Sequence, residues 1–518
     1  IKRQSCLEVE ILVFSSLLFL FRFLPITFLI YYLVPFRFKN TVLFLASLFF
    51  YTWGEPKFFP VMLISIGVNY VAGLLMERYD QRPQLRRICF WLAFAITLGF
   101  LLFFKYTNFF VGNINALFGT SLPLLSSTEF HLPLGISFYT FQILAYTIDV
   151  YRRKIKVEHN LIDFGAFVVL FPQLIAGPIV LYPDISKEMK HRTITLAQVE
   201  EGVGLFIMGL GSKILLADTV GALWTEVQTL GFTNVSTPLA WMGLLAYTFQ
   251  IYFDFSGYSL MAIGLGRMLG FYFPQNFNYP YISKSITEFW RRWHITLGAW
   301  MRDYVFYPLS LSKTFGKLSR WARTHIKGTG GKIFATSLAT FIVYLIIGIW
   351  HGANFRYIAF GLWNGVLITA SLLLERTFLR WKSALHINDK SAAWRVFMTL
   401  RTMLLVFIGR YFTRSPRLSC VFRFLKTTVL HPQPSQLFDG TLLSFGLAKT
   451  DFLVIALGLA VLLTLECFQE RGVQIRAALE KKSGFVQWLT VTALLLAVLL
   501  LGVFRAGYIP SGFIYTQF

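Results

Sequence analysis

The side chains best suited to chemistry in this chain are two histidines, one set among aromatic and charged residues and one at a break between apolar runs. The first is His294, in a stretch from Glu288 to Leu309 that also holds Arg291, Arg292, Arg302 and Asp303 beside Trp290, Trp293 and Trp300. Charge this dense is costly near a bilayer, so the segment reads either as an interfacial amphipathic helix with Trp and Arg at headgroup depth or as a reaction site. The second is His351, in the run Trp350, His351, Gly352, Ala353, Asn354. Ile333 to Trp350 contains no charge, and another apolar run extends from Tyr357 to Leu374. Polar groups at such a break need partners if they are not in water, and an ionisable group there is a functional candidate by default. A structural histidine satisfied by its neighbours is the alternative.

A neutral histidine in a water-poor setting suits acyl transfer from a thioester to a hydroxyl. The imidazole takes the proton as the hydroxyl attacks, Asn354 or backbone N–H groups receive the developing oxyanion, and exclusion of water suppresses hydrolysis. Trp290, Trp293, Trp300 and Trp350 would form the walls, with Asp254, Arg291 and Arg292 as further substrate-binding candidates. Other signatures are missing from the sequence: a His-Glu-x-x-His pair, a P-loop, a glycine-rich dinucleotide turn and a nucleophile elbow around Ser256. Four cysteines, Cys6, Cys89, Cys420 and Cys467, lie far apart, so neither a disulfide framework nor a metal site is expected. A transporter would also explain intramembrane histidines, but no internal repeat supports it.

The elements that must position these residues are membrane helices. Of the 518 residues 56% are hydrophobic and 18% aromatic, and the mean hydropathy is +0.59, beyond the range of soluble globular proteins. The fold class expected is an all-α polytopic membrane protein with about 10–12 transmembrane helices, the shorter runs being tilted, re-entrant or interfacial. Residues 1–11 carry charges and no initiator Met, so they read as an N-terminal extension to a single integral domain spanning 12–518. Ile11 to Val34 is too long for a signal-peptide core and reads as a retained helix. Pro172, Gly177 and Pro178 break the apolar run between Phe164 and Leu181, which marks either a kink or a re-entrant turn lining a cavity.

The net charge of +23 is spread through short loops, a pattern of positive-inside bias and lipid-headgroup contact rather than nucleic-acid binding. Arg78 to Arg87, Arg152 to Lys156 and the stretch Lys313 to Lys332 are therefore assigned to the cytoplasmic side.

Several of these residues also carry a family likeness. The Glu288 to His294 motif, the Trp350 to Asn354 motif, Phe171 to Pro178 and Phe253 to Ser259 occur in an order that resembles the membrane-bound O-acyltransferase family. Within it the chain is similar to the bacterial branch of alginate O-acetyltransferases and teichoic-acid D-alanyl transferases. The resemblance implies His351 as catalytic base and His294 as a second catalytic-site histidine, in a chemical or positioning role. It also implies an acyl thioester, from acetyl-CoA or an acyl-carrier protein on the cytoplasmic side, as donor substrate, with no permanently bound cofactor. The expected setting is a bacterial cytoplasmic membrane, with an extracytoplasmic SGNH-type acyltransferase as partner. A length near 500 and the start at Val13 to Ser16 favour the acetyl branch over D-alanyl transfer. Leu260 stands where an acidic residue is expected, and Ser310 to Lys313 replaces a Gly-Gly-Asn-Arg-like turn.

Overall fold

In the computed structural model of the protein the described residues are 13–126, 129–175, 177–229, 231, 235–445, 449–473, 478–479, 481–502 and 513. Residues 1–12, which include the N-terminal extension expected at 1–11, lie outside them. Among the described residues there are helices and no β-strand, apart from an isolated antiparallel bridge between Phe277 and Trp293. The chain divides into two compact units, one made of Ile1–Ile214, Asp254–Pro274 and Phe504–Phe518, the other of Leu215–Phe253 and Gln275–Val503.

The first unit begins with a π-helical turn, Phe19–Phe23, which runs into α1 (Leu24–Leu33). There follow α2 (Phe36–Gly54), α3 (Phe59–Arg78), α4 (Pro83–Phe118), α5 (Ile136–Tyr151), α6 (Leu161–Val169), α7 (Phe171–Leu174), α8 (Tyr182–Lys190) and α9 (Leu196–Gly211). A polar relay ties three of these helices together inside an apolar core. Asn69 on α3 donates to Thr97 on α4 at 2.6 Å and accepts from Thr147 on α5 at 2.7 Å. All three are buried, so each hydrogen bond replaces one that water would have made.

The proline break is a real interruption. The chain leaves α6 at Leu170, whose ψ of 111° is not helical, and restarts for one turn as α7. The freed groups are met by protein: Phe171 N–H donates to Ser47 Oγ at 3.0 Å, and Gln173 Nε2 donates to the Phe167 carbonyl at 2.7 Å. An interrupted helix in an apolar interior requires such partners.

The second unit holds α10 (Asp218–Thr229) and the first part of α11 (Thr237–Met268), whose remainder belongs to the first unit. Short pieces follow: α12 (Ile286–Arg292), α13 (Ile295–Met301), a π-helical turn (Arg302–Phe306), α14 (Tyr307–Ser310) and α15 (Lys313–His325). Ser285 and Ser312 cap α12 and α15. Helix α15 is amphipathic, burying Phe315 and Ala322 and exposing its lysines and arginines, as an interfacial helix should. Then come α16 (Thr329–His351), α17 (Phe355–Leu373), α18 (Glu375–Ala384), α19 (Ala392–Arg414), α20 (Leu418–Leu430), α21 (Lys449–Glu470) and α22 (Gly484–Leu501).

Helices α16 and α17 form a hairpin whose halves meet backbone to backbone. A Cβ built on Gly348 would lie 2.5 Å from the Tyr357 carbonyl oxygen and 2.6 Å from Gly361 Cα, and one on Gly361 2.7 Å from the Tyr344 carbonyl oxygen. Only glycine allows that approach. The hairpin tip carries His351.

Eight helical segments among the described residues are long and apolar enough to cross a membrane: α3, α4, α9 through α10, α16, α17, α19, α21 and α22. Phe19–Leu33 is a shorter apolar helix, and two further short apolar stretches, 41–51 and 141–150, lie within α2 and α5. The protein is a multi-pass helical membrane protein.

Candidate active site

His351 is the last residue of α16, and Asn354 is the N-cap of α17, its Oδ1 accepting the Arg356 N–H at 3.1 Å. Gly352 fills the gap between them because any Cβ there would run into the Tyr357 ring. That ring lies nearly parallel to the His351 imidazole at 6.5 Å, and Phe360 stands edge-on at 5.5 Å. Trp350 is buried next to both histidines, its ring centre 5.0 Å from that of His351 and 6.4 Å from that of His294. The two histidine motifs, far apart in sequence, thus meet.

His294 reaches this place from a tight corner between α12 and α13. Its backbone is left-handed, with φ 48° and ψ 56°, a conformation that non-glycine residues adopt only when their surroundings enforce it. Enforcement comes from the segment around Asn276. The Asn278 N–H donates to the Arg292 carbonyl and the Ile295 N–H to the Asn276 carbonyl, both at 2.9 Å. The Asn276 side chain completes the clamp, with Oδ1 3.0 Å from His294 Nδ1 and accepting the Thr296 hydroxyl at 2.9 Å. His294 is 2% exposed. Burial first, and the neighbouring His351 second, lower its pKa to about 3, so its resting imidazole is neutral.

The remaining sequence candidates have distinct surroundings. Arg292 makes a two-pronged ion pair with Glu470 at 2.8 Å and pairs with Glu288 at 2.9 Å, so its guanidinium is committed to tying α12 to α21. Arg291 is exposed. Asp254 belongs to the first unit, where its Oδ1 lies 2.6 Å from Lys213 Nζ.

The sequence profile of the membrane-bound O-acyltransferase family matches residues 89–408, a segment that includes both histidines. A probable alginate O-acetylase of Pseudomonas aeruginosa is 43% identical over 421 residues, covering 80% of this chain and 74% of that protein. The chain belongs to the membrane-bound O-acyltransferase family. A peptidoglycan O-acetyltransferase of Helicobacter pylori is 32% identical over 461 residues, covering 82% of this chain and 81% of the relative. A teichoic acid D-alanyltransferase of Streptococcus thermophilus is 28% identical over 309 residues, covering 55% of this chain and 70% of the relative. The protein is therefore an O-acyltransferase.

Sequence reasoning missed three residues that shape this O-acyltransferase. Asn276 sits in an irregular stretch with nothing to announce its partner. Arg410, 5% exposed on α19, places its guanidinium 4.6 Å over the Trp293 ring, beside His294 in the chain. Lys213 is a cation inside an apolar run, a signal that demands a buried partner.

Proposed function

We propose that this protein moves an acetyl group from a cytoplasmic acyl thioester to a hydroxyl acceptor, for O-acetylation of a cell-surface polysaccharide outside a bacterial cytoplasmic membrane. The observation that carries the reading is that His294 and His351 are both buried against Trp350, at the tip of a closely packed hairpin. The acetyl group and polysaccharide class are supported by likeness to an alginate O-acetylase and a peptidoglycan O-acetyltransferase.

The acceptor oxygen forms a bond to the thioester carbonyl carbon while His351 takes the hydroxyl proton. The tetrahedral intermediate collapses with cleavage of the carbon–sulfur bond, and the imidazolium returns the proton to the departing thiolate. Asn354 and Trp350 line the acceptor and donor positions, and the surrounding rings limit hydrolysis. The donor is acetyl-CoA or an acetylated carrier protein, and an SGNH-type acyltransferase outside the membrane completes delivery to the polymer. Membrane lipids are the remaining partner, met by the basic loops.

The test is single-turnover transfer from a radiolabelled acetyl thioester to a hydroxyl acceptor by protein reconstituted in lipid vesicles, with the SGNH-type partner added to read delivery to polysaccharide. His351→Ala is expected to lose roughly 10²–10⁴-fold in rate, the usual worth of a positioned base, while inserting normally. Wild-type transfer by that variant would remove the base assignment. Transfer of D-alanine in preference to acetate would overturn the acyl assignment.

A further inference from the structure

The contacts around Asn276 determine which ring nitrogen of a neighbouring imidazole carries its proton. Asn276 is 1% exposed, and one atom of its amide faces three groups: the Thr296 backbone N–H at 3.3 Å, the Thr296 hydroxyl at 2.9 Å and His294 Nδ1 at 3.0 Å. A backbone N–H can only donate, so the atom facing it is the carbonyl oxygen, not the amide nitrogen. A carbonyl oxygen can only accept, so His294 Nδ1 must bear a hydrogen. The ring is neutral at rest, which leaves the lone pair on Nε2. No hydroxyl rotation or amide flip changes this result, because the Thr296 N–H has a fixed direction set by α13. The backbone pairing of Asn276 with Ile295 and of Phe277 with Trp293 holds the amide at this position.

We propose that Asn276 is a positioning residue that keeps His294 in the Nδ1–H tautomer, making Nε2 the atom at which His294 accepts a proton during acyl transfer. His294 then takes part in proton handling with His351 and is not a passive wall. When the acceptor hydroxyl forms its bond to the carbonyl carbon, the released proton is shared between two neutral imidazoles, and it leaves on the thiolate sulfur when the carbon–sulfur bond breaks. The inference rests on the acyl-transfer reading for its kinetic consequences, but the tautomer itself does not.

Three measurements test it. Nitrogen chemical shifts of the protein labelled with ¹⁵N-histidine read the tautomer without any turnover; a protonated Nδ1 and bare Nε2 on His294 are expected, and the reverse assignment overturns the proposal even if acyl transfer is confirmed. Asn276→Leu removes the acceptor while keeping the volume, and kcat should fall roughly a hundredfold or more as the wrong tautomer becomes populated, with KM for donor nearly unchanged. Asn276→Asp keeps the acceptor for both Thr296 and His294 and adds a charge that stabilises the imidazolium. That variant should recover most of kcat at high pH and show the acid limb of its pH–rate profile displaced upward. If Asn276 only braces the corner, Asp should rescue activity with the wild-type pH profile; that result, or full activity in Asn276→Leu, refutes the assignment. Failure of the wild type to transfer any acyl group would remove the reaction reading while leaving the nitrogen shifts to judge the tautomer.

Discussion

Lys213 Nζ lies 2.6 Å from Asp254 Oδ1, with both side chains at most 3% exposed. The pair is set where α9 runs into a π-helical turn, Ser212–Ala217, and where α11 passes close by. Glycines make that approach feasible: a Cβ on Gly209 would lie 2.5 Å from the Gly257 carbonyl oxygen, and one on Gly202 2.5 Å from the Gly264 carbonyl oxygen.

Removing one partner of this pair should be far worse than removing both. Lys213→Met strands a buried carboxylate and is expected to destabilise the first unit by about 3–5 kcal/mol, whereas joining it to Asp254→Leu should recover most of that loss. Thermal unfolding in detergent of the two single variants and the double variant measures the coupling. Additive losses would show that the pair is not a unit.

The glycine contact in the α16–α17 hairpin gives a second test. Gly348→Ala places a methyl group against backbone that has no room to give, so a loss of about 1–3 kcal/mol is expected from overpacking. Because the tip bears His351, transfer should fall as well. A melt and a rate assay on the same preparation decide it; an unchanged melting midpoint and rate would mean that the helices separate freely.

Arg292 and Glu470 offer a charge-exchange test. Arg292→Glu gathers three carboxylates at one place and should lower the yield of folded protein, and adding Glu470→Arg should restore it. The coupling is expected to be modest, about 1 kcal/mol or less, since Glu470 is 38% exposed. Equal yields from the single and double variants would mean the pair contributes nothing to docking α21.

Orientation is read from the exposed basic face of α15. In a variant lacking the native cysteines, Lys317→Cys should resist a membrane-impermeant maleimide in intact cells and react after permeabilisation, placing α15 in the cytoplasm. Labelling of intact cells would invert the topology.

Much of the site was legible in the chain because its residues violate the chemistry of their setting. His351 between two charge-free runs, His294 amid charge and Pro172 inside an apolar run each break a local rule, and each sits at a corner or break in the structure. What stayed hidden depends on distant partners. Asn276 looks like an ordinary loop residue until the fold brings it against His294. Lys213 did break the rule, inside the run Val203 to Leu223, but its pairing with Asp254 comes from the packing of two helices. Arg410 escapes because it lies just past the apolar stretch Val396 to Ile408, where a cation reads as a flanking residue and not as a buried one. Arg292 was legible as important, but its ion pairs tie it to Glu288 and Glu470 on two helices, a partnership that spacing alone does not give.

Helix α21 presents only 6% of its apolar window to the protein interior, and the residue it buries is an acid, Glu466, which accepts the Tyr252 hydroxyl at 2.7 Å. Glu470, one turn on, reaches Arg292. Gly458 fits closely on Leu216, where a Cβ would lie 2.5 Å from Leu216 Cδ2, but lipid, the solvent for most of this helix, cannot choose among its rotations. The two carboxylates do: a slip of one residue turns an α-helix by about 100° and shifts it about 1.5 Å along its axis, which would swing both acids away from their donors. The helix is thus indexed like a key with two teeth, held in one register by polarity where oil supplies no preference.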